Sequence, residues 1–241
     1  MANEIDIGTV AKAYARWAPI YDFVFGAVFN AGRKASIAAA ERVGGRILDV
    51  GIGTGISLTD YSPGSRVTGV DFCEPMLRKA HERVAEHKLA HVEALAVMDA
   101  QHLAFPDAFF DAVVAQYVIT TVPDPEAALD EIARVTKAGG EIILVNHLGA
   151  EMGLRRVFEQ SFAPVARRLG WRLEFRWERL AQWAAGHAGV RFVERRPMPP
   201  LGHFSLIRFE RLSPLPANSE PAPNWAVGAV LKPAPIASSG E

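Results

Sequence analysis

A glycine-rich turn that follows an acidic residue is the feature of this sequence that most directly suggests chemistry. The apolar run RILDV contains Asp49 and leads into the turn GIGTG at 51–55. Such a turn lets the backbone approach a nucleotide-like ligand. A dinucleotide fingerprint requires its third glycine at the position of Ile56, and Asp49 would repel a pyrophosphate but attract an ammonium group. The turn therefore favours a cationic cofactor over NAD, and a tight turn without a ligand is the alternative.

Two further carboxylates follow the next two apolar runs. Asp71 ends SRVTGVD, where it can accept hydrogen bonds from a ribose diol, and Phe72 offers a ring face to a base. Asp99 comes at the end of VEALAVMDA, where it can accept a hydrogen bond from the adenine amine while the Ala100 amide donates to the ring. Because parallel strands end at one sheet edge, these residues and Asp49 predict a single nucleoside-binding crevice.

The elements that would position these residues alternate short apolar runs with longer helical stretches. Strands are predicted at 46–50, 65–71, 92–100, 110–116, 140–147, 190–195 and 203–211. Helical periodicity covers 74–88 and 124–138, with Pro75 and Pro125 in the first turns and the glycines at 139–140 ending the second helix. The order predicts an α/β, Rossmann-like fold whose sheet is seven-stranded and mainly parallel, with helices on both faces.

Composition narrows the class of protein further. The 241 residues are 49% apolar with a formal net charge of -1, so no global charge favours nucleic acid. The single cysteine, Cys73, excludes an internal disulfide framework and a cysteine-rich zinc site. No run approaches the roughly 20 apolar residues that a membrane-spanning helix needs, and the start lacks a signal-peptide pattern. These features favour one cytoplasmic domain.

The runs DVGIGTG, GVDFCEPML, DAQHLAFPDAFFD and AGGEIILV together resemble class I S-adenosylmethionine-dependent methyltransferases across residues 40–147. The resemblance implies S-adenosylmethionine as cofactor, S-adenosylhomocysteine as product, no metal, and a last strand that runs antiparallel. It places Gln116 beside the transferable methyl group. The expected cofactor-binding residues are Tyr21, Asp49, Gly51, Gly53, Thr54, Gly55, Asp71, Phe72, Met76, Asp99, Ala100 and Gln116.

The opening AKAYARWAPIYDFVF is similar to the start of bacterial phosphatidylethanolamine N-methyltransferases, and more loosely to quinone C-methyltransferases. Tyr14 and Tyr21, seven residues apart, would share a helix face and could orient an amine, although both could instead pack on the core. His147 ends the fifth strand and His203 begins the seventh, which in this fold lies beside the fifth. We expect both histidines at the active-site edge, contacting a phosphate or accepting an amine proton.

The chain divides by composition into three parts. Residues 1–43 are predicted as amphipathic lid helices that can associate with a membrane, 44–212 as the methyltransferase domain, and 213–241 as a Pro- and Ala-rich tail. Residues 155–179 contain seven arginines against three glutamates. The interleaved aromatic residues are Phe158, Phe162, Trp171, Phe175, Trp177 and Trp183. This mixture favours an insertion at 150–189 that contacts anionic headgroups, and a solvated face of a lid is the alternative.

These observations favour N-methylation of phosphatidylethanolamine, and of its mono- and dimethyl derivatives, towards phosphatidylcholine. The protein is expected to be a monomer that associates peripherally with the inner face of the cell membrane and binds no nucleic acid. Methylation of a quinone or another small molecule is the enzymatic alternative. A regulator that binds S-adenosylmethionine without transferring its methyl group is the alternative outside enzymes.

Overall fold

A computed structural model describes residues 29–148, 175–199 and 202–213. Within them the chain forms a seven-stranded sheet in the order β3-β2-β1-β4-β5-β7-β6. The strands are β1 (Arg46–Val50), β2 (Arg66–Asp71), β3 (Val92–Val97), β4 (Phe110–Gln116), β5 (Thr136–His147), β6 (Val190–Met198) and β7 (Phe204–Arg211). Strand β7 is antiparallel to β5 and β6, whereas the other pairs are parallel. The predicted fold class is therefore confirmed.

Helices connect and cover these strands. In the described residues they are α1 (29–43), α2 (Glu74–His87), α3 (Pro125–Val135) and α4 (Trp177–Gly186), with a 3-10 helix at Ile56–Asp60. The Asp124 carboxylate accepts the Ala127 N–H at 3.1 Å and caps α3. The prediction that 139–140 end this helix is wrong. Helix α3 stops at Val135, because Thr136 already pairs with Phe110 as the first residue of β5.

The core has two layers because successive residues of a strand face opposite sides of the sheet. On one side Leu48, Val113 and Leu144 pack with residues of α3 and α4. On the other side Ile47 and Val114 pack with residues of α1 and α2. Strands buried on both faces need apolar residues at nearly every position, which explains the continuous apolar runs in the sequence.

The strand order creates the crevice that positions the site. From β1 the chain passes to β2 and β3 on one side, and then crosses to β4 on the other side of β1. In open α/β sheets, ligands bind at the carboxyl ends of the strands where the order reverses in this way. The carboxyl ends of β1 and β4 carry Asp49 and Gln116, so both residues lie at this point.

Candidate active site

The glycine turn after β1 has a backbone that side chains rarely allow. Gly51 and Gly53 have φ angles of 69° and 58°, in the left-handed region. A Cβ atom at Gly51 would lie 2.1 Å from Val118 Cγ2, so the position excludes a side chain. A Cβ atom at Gly53 would meet only Met76, at 3.7 Å from its Cε. Gly53 therefore leaves space in the turn beside Met76, and the predicted contacts of these two residues with the cofactor remain predictions.

Asp49 is a buried carboxyl directly before this turn. Its Oδ2 accepts hydrogen bonds from Ser57 Oγ at 2.9 Å and from the Tyr61 hydroxyl at 3.2 Å. Burial raises the pKa of Asp49 to about 7, and the two hydroxyls oppose that rise. A buried anion is costly unless a positive charge compensates it. The arrangement fits the ammonium group of a methionine moiety and does not fit a pyrophosphate.

Asp71 has a role that the sequence did not indicate. Its Oδ2 accepts the Gly53 N–H and its Oδ1 accepts the Cys73 N–H, both at 2.8 Å. Burial raises the pKa of this carboxyl, while the two backbone amides oppose the rise. The side chain therefore ties the glycine turn to the end of β2. Each carboxylate oxygen has a second lone pair, so the predicted contact with a ribose remains a prediction.

Asp99, which the sequence predicts to contact adenine, does not lie at the end of β3 as expected. Strand β3 ends at Val97, two residues before Asp99, and Asp99 forms an isolated bridge with His102. The Gln101 side-chain amide donates to both Asp99 oxygens at 3.1 Å, and its carbonyl accepts the Asp124 N–H. Gln101 was not among the residues predicted from the sequence. Its backbone N–H also donates to Asp99 Oδ1 at 2.9 Å, and this local turn, which an aspartate favours with the residue two positions later, was the available signal.

Two exposed apolar residues lie at the carboxyl ends of β2 and β3. Phe72 is 38% exposed and Val97 is 56% exposed, and the strand register places Asp71 opposite Val97. This apolar surface offers a stacking face to an adenine ring, and the partly exposed Asp99 carboxylate, two residues after Val97, is an available acceptor for the adenine amine. Thr54 is buried, and its backbone carbonyl accepts a hydrogen bond from Arg83 at 2.5 Å.

The ends of β4 and β5 contain polar atoms without partners. Among the described residues, Gln116 Nε2 and both amide atoms of Asn146 are buried with no hydrogen-bond partner. Asn146 is fully buried, and it pairs by register with Ser205 of β7. Because an unsatisfied buried amide costs free energy, this edge is where a polar ligand would be stabilising. The sequence analysis identified Gln116 and missed Asn146, which lies directly before His147.

Tyr117 links this edge to α1. The residue has a φ of 63°, its hydroxyl donates to the Phe29 carbonyl at 3.1 Å, and its ring stacks on Phe29 at 4.2 Å. Burial raises the pKa of the Tyr117 phenol well above its ordinary value. The hydroxyl therefore acts as a hydrogen-bond donor that holds α1 against the end of β4. The sequence did not distinguish it from a core aromatic residue.

The predicted catalytic residues are only partly described. His147 and His203 lie together at the sheet edge with ring centroids 6.1 Å apart, as expected from the pairing of β5 with β7. Tyr14 and Tyr21 lie outside the described residues, as do residues 1–28 of the predicted membrane-associating segment 1–43 and the tail from 214 onward. The roles of all four residues stay predictions.

The described end of the predicted basic insertion is part of the core rather than a membrane surface. Phe175 and Trp183 are buried, and Trp177 packs against the same cluster. Arg179 makes a two-pronged ion pair with Glu126 at 2.5 Å, and Trp183 Nε1 donates to Asp130. These contacts bind α4 to α3. Phe175, Trp177 and Trp183 therefore belong to the core and not to the predicted interface, and residues 150–174 of the predicted insertion 150–189 lie outside the described residues.

No helix in the described ranges is both long and apolar enough to cross a bilayer. In the same ranges, no three His, Cys, Asp or Glu side chains group in a way that could hold a metal ion.

Known proteins resemble this chain both in sequence and in fold. Residues 48–144 match a family described as a methyltransferase domain. A phosphatidylethanolamine N-methyltransferase of Cereibacter sphaeroides is 42% identical over 207 residues, which are 86% of this chain and 100% of that protein. A demethylmenaquinone methyltransferase of Thermus thermophilus is 37% identical over 167 residues, which cover 63% of this chain and 73% of that protein.

Solved structures support the fold. A Haemonchus contortus phosphoethanolamine N-methyltransferase 2, in complex with S-adenosyl-L-methionine, superposes with a TM-score of 0.63 at 19% identity. The match covers 85% of this chain and 57% of that chain. At this level of identity the likeness concerns the architecture of the sheet and its crevice.

Proposed function

The chain belongs to the S-adenosylmethionine-dependent methyltransferases, in the family of the phosphatidylethanolamine N-methyltransferase of Cereibacter sphaeroides, and we propose that it methylates the amine of phosphatidylethanolamine. The observation that carries this proposal is the 42% identity that extends over the whole length of that enzyme. The likeness to quinone methyltransferases covers less of the chain at lower identity. The acceptor is therefore assigned from the relative that matches at full length.

The residues of the crevice fit the cofactor. When bound, S-adenosylmethionine supplies a methyl group that is activated on a sulfonium centre. Asp49 provides negative charge for the ammonium group of its methionine moiety, and the turn at Gly53 leaves room for close approach. Phe72 and Asp99 offer a ring face and an acceptor to adenine. The chain thereby holds the donor along the ends of β1, β2 and β3.

The remaining requirement is alignment of the acceptor amine. A primary alkylammonium has a pKa near 10.4 and must lose a proton before its nitrogen can attack. We assign His147, His203, Tyr14 and Tyr21 to positioning the headgroup and to accepting that proton. The unpartnered amides of Gln116 and Asn146 offer further polar contacts at the same edge. Most of the rate enhancement then comes from orientation of the nitrogen for in-line displacement.

Repeated methylation and membrane association complete the proposal. Each methylated amine can return to the same site, so the product is phosphatidylcholine. Phenol rings at Tyr14 and Tyr21 would accommodate the growing positive charge by cation–π attraction. The monomeric protein would reach its lipid by peripheral association with the inner face of the cell membrane. The arginines of 155–172 and the N-terminal segment would provide the contacts with anionic headgroups.

A direct test uses radiolabelled S-adenosylmethionine and sonicated vesicles, followed by separation of the lipids. Vesicles that contain phosphatidylethanolamine and phosphatidylglycerol should yield labelled mono-, di- and trimethylated lipids. Matched vesicles of phosphatidylcholine and phosphatidylglycerol should yield none. Label in an added demethylmenaquinone, and none in lipid, would replace the acceptor by a quinone. If the protein binds S-adenosylmethionine but transfers the methyl group to neither acceptor, the regulator that binds the cofactor without catalysis is the remaining function.

A further inference from the structure

The Asp49 carboxyl is held by two hydroxyl groups from a segment that the glycine motif does not include. Ser57 belongs to the 3-10 helix and Tyr61 directly follows it. Both side chains are buried, at 3% and 4% exposure, and both hydroxyls donate to the same oxygen, Oδ2. A tyrosine hydroxyl that is buried against a carboxylate is oriented by that contact. The two donors are therefore built into the support of the donor site.

The electrostatic setting makes these hydroxyls consequential. Burial, together with like-charge repulsion from Asp71 on β2, raises the pKa of Asp49 to about 7, although the hydrogen bonds from the Ser57 and Tyr61 hydroxyls oppose the rise. Burial, Asp49 and Glu41 together raise the pKa of the Tyr61 phenol well above its ordinary value, so Tyr61 stays protonated and can only donate to the carboxylate. The ionisation of Asp49 thus depends on a balance between burial and two hydrogen bonds.

We propose that Tyr61 and Ser57 are positioning residues for S-adenosylmethionine, because they keep Asp49 ionised and oriented behind the glycine turn, where its charge attracts the ammonium group of the donor. The inference rests on donor binding by this family and does not require phosphatidylethanolamine as the acceptor. It predicts that donor affinity falls as the pH falls through the titration of Asp49. Binding should also release a proton near neutral pH, because the ammonium favours the ionised carboxylate.

The test measures binding of S-adenosylhomocysteine to the full chain by calorimetry between pH 6 and pH 9. Without its hydroxyl, Tyr61→Phe should bind about 5-fold more weakly at pH 7 and approach wild-type affinity at pH 9, because each unit of pKa corresponds to about tenfold in the protonation equilibrium. Ser57→Ala should move the pH profile in the same direction. The matched control is Thr59→Ala, since the exposed Thr59 hydroxyl on the same 3-10 helix bonds the Ile56 carbonyl and should leave the profile unchanged.

A second set of variants separates this role from simple packing. An Asp49→Asn chain cannot ionise at this position, so adding Tyr61→Phe to it should not weaken binding further. Calorimetry in buffers of different ionisation enthalpy should show proton release in wild type and its loss in Asp49→Asn. Equal weakening by Tyr61→Phe at every pH, or equal weakening in the Asp49→Asn background, would overturn the proposal. If Tyr61→Phe does not fold, Ser57→Ala carries the same test.

The result is independent of the acceptor. A protein that fails to methylate lipid but shows the shifted profile refutes the proposed acceptor and keeps this inference. If the protein methylates lipid but its donor affinity does not change between pH 6 and pH 9, the proposed acceptor is supported and this inference is refuted.

Discussion

The two halves of the active-site edge differ in how their polar groups are satisfied. In the half that we propose binds the donor, at the ends of β1, β2 and β3, each of the three carboxylates accepts at least two hydrogen bonds from the protein. In the half that we propose binds the acceptor, at the ends of β4 and β5, Gln116 and Asn146 have buried amide atoms without partners in the described residues. We call these the donor half and the acceptor half. The donor half is preorganised, whereas the acceptor half leaves polar capacity for a ligand.

The difference suggests that the two halves respond differently to substitution. Changes in the donor half should weaken cofactor binding, because they remove carboxylates, or the hydrogen bonds that hold those carboxylates in place for the cofactor. Changes in the acceptor half should leave cofactor binding intact and alter stability and turnover. In the acceptor half, a substitution that removes an unsatisfied polar atom should therefore raise stability and lower activity.

The largest effect is expected for Asp49→Asn. Removing the buried charge should lower kcat/KM for S-adenosylmethionine at pH 8 by about 100-fold, since loss of one partner from a buried charge pair costs roughly 2–5 kcal/mol. Steady-state methyl transfer at varied donor concentration measures it. The control Asp107→Asn removes an equal charge from an exposed carboxylate that pairs with Arg134, and it should change kcat/KM little. If Asp49→Asn had the same kcat/KM as wild type, the claim that the donor half is preorganised for the cofactor would be contradicted.

The same variant should change the pH dependence of stability. Burial raises the pKa of Asp49 from 3.8 to about 7, so the folded protein holds this proton more tightly than the unfolded chain. Wild type consequently loses free energy of unfolding as the pH rises from about 4 to 7, and Asp49→Asn does not. The Tm of the ligand-free variant should exceed that of wild type, more at pH 8 than at pH 5. A gain that is largest at pH 5 would contradict the assigned titration.

A smaller effect of opposite kind is expected for Asn146→Leu in the acceptor half. Replacing an unsatisfied buried amide by an apolar side chain should raise Tm by about 2–12 °C, since the buried amide costs roughly 1–3 kcal/mol and each kcal/mol shifts Tm by about 2–4 °C in a chain of this size. We expect kcat/KM for the acceptor to fall about tenfold while donor affinity stays unchanged. Thermal melts, calorimetry and acceptor kinetics measure the three quantities.

Ser205→Ala is the matched control for Asn146→Leu. Ser205 is the buried register partner of Asn146, and its hydroxyl contacts Arg195 Nε at 3.5 Å. Because it removes no unsatisfied atom, the substitution should bring no gain in Tm. A loss of stability in Asn146→Leu would show that Asn146 is already satisfied and that the two halves do not differ there.

The smallest effect is expected for Gln101→Ala in the donor half. Gln101 holds the Asp99 carboxylate through its side-chain amide, so its loss should weaken donor binding about 3-fold. The control His102→Ala changes a neighbouring side chain that is 85% exposed and lies 3.7 Å from Asp99, and it should leave affinity unchanged. Equal effects of the two variants in calorimetry would mean that Asp99 needs no positioning.

Local pattern was sufficient to predict the strands and the glycine turn. Apolar runs such as RILDV and FDAVVAQ could be read as buried strands because a strand covered on both faces has few polar positions. The turn at Gly51 and Gly53 could be identified because the backbone there must adopt positive φ and approach a ligand. By contrast, Phe175 and Trp183 were misassigned to a membrane surface, since an aromatic residue between arginines has the same local pattern in a core helix and in an interface.

Periodicity, turn chemistry and strand ends are local properties, so the α/β architecture and the three acidic residues near one sheet edge could be predicted from the residues alone. The groups that surround the site residues became visible only in the folded chain. Ser57 and Tyr61 lie 8 and 12 residues from Asp49, and Asn146 meets Ser205 across two strands. Hydrogen bonding and burial at such separations depend on how the helices pack on the sheet, which no local pattern of residues encodes.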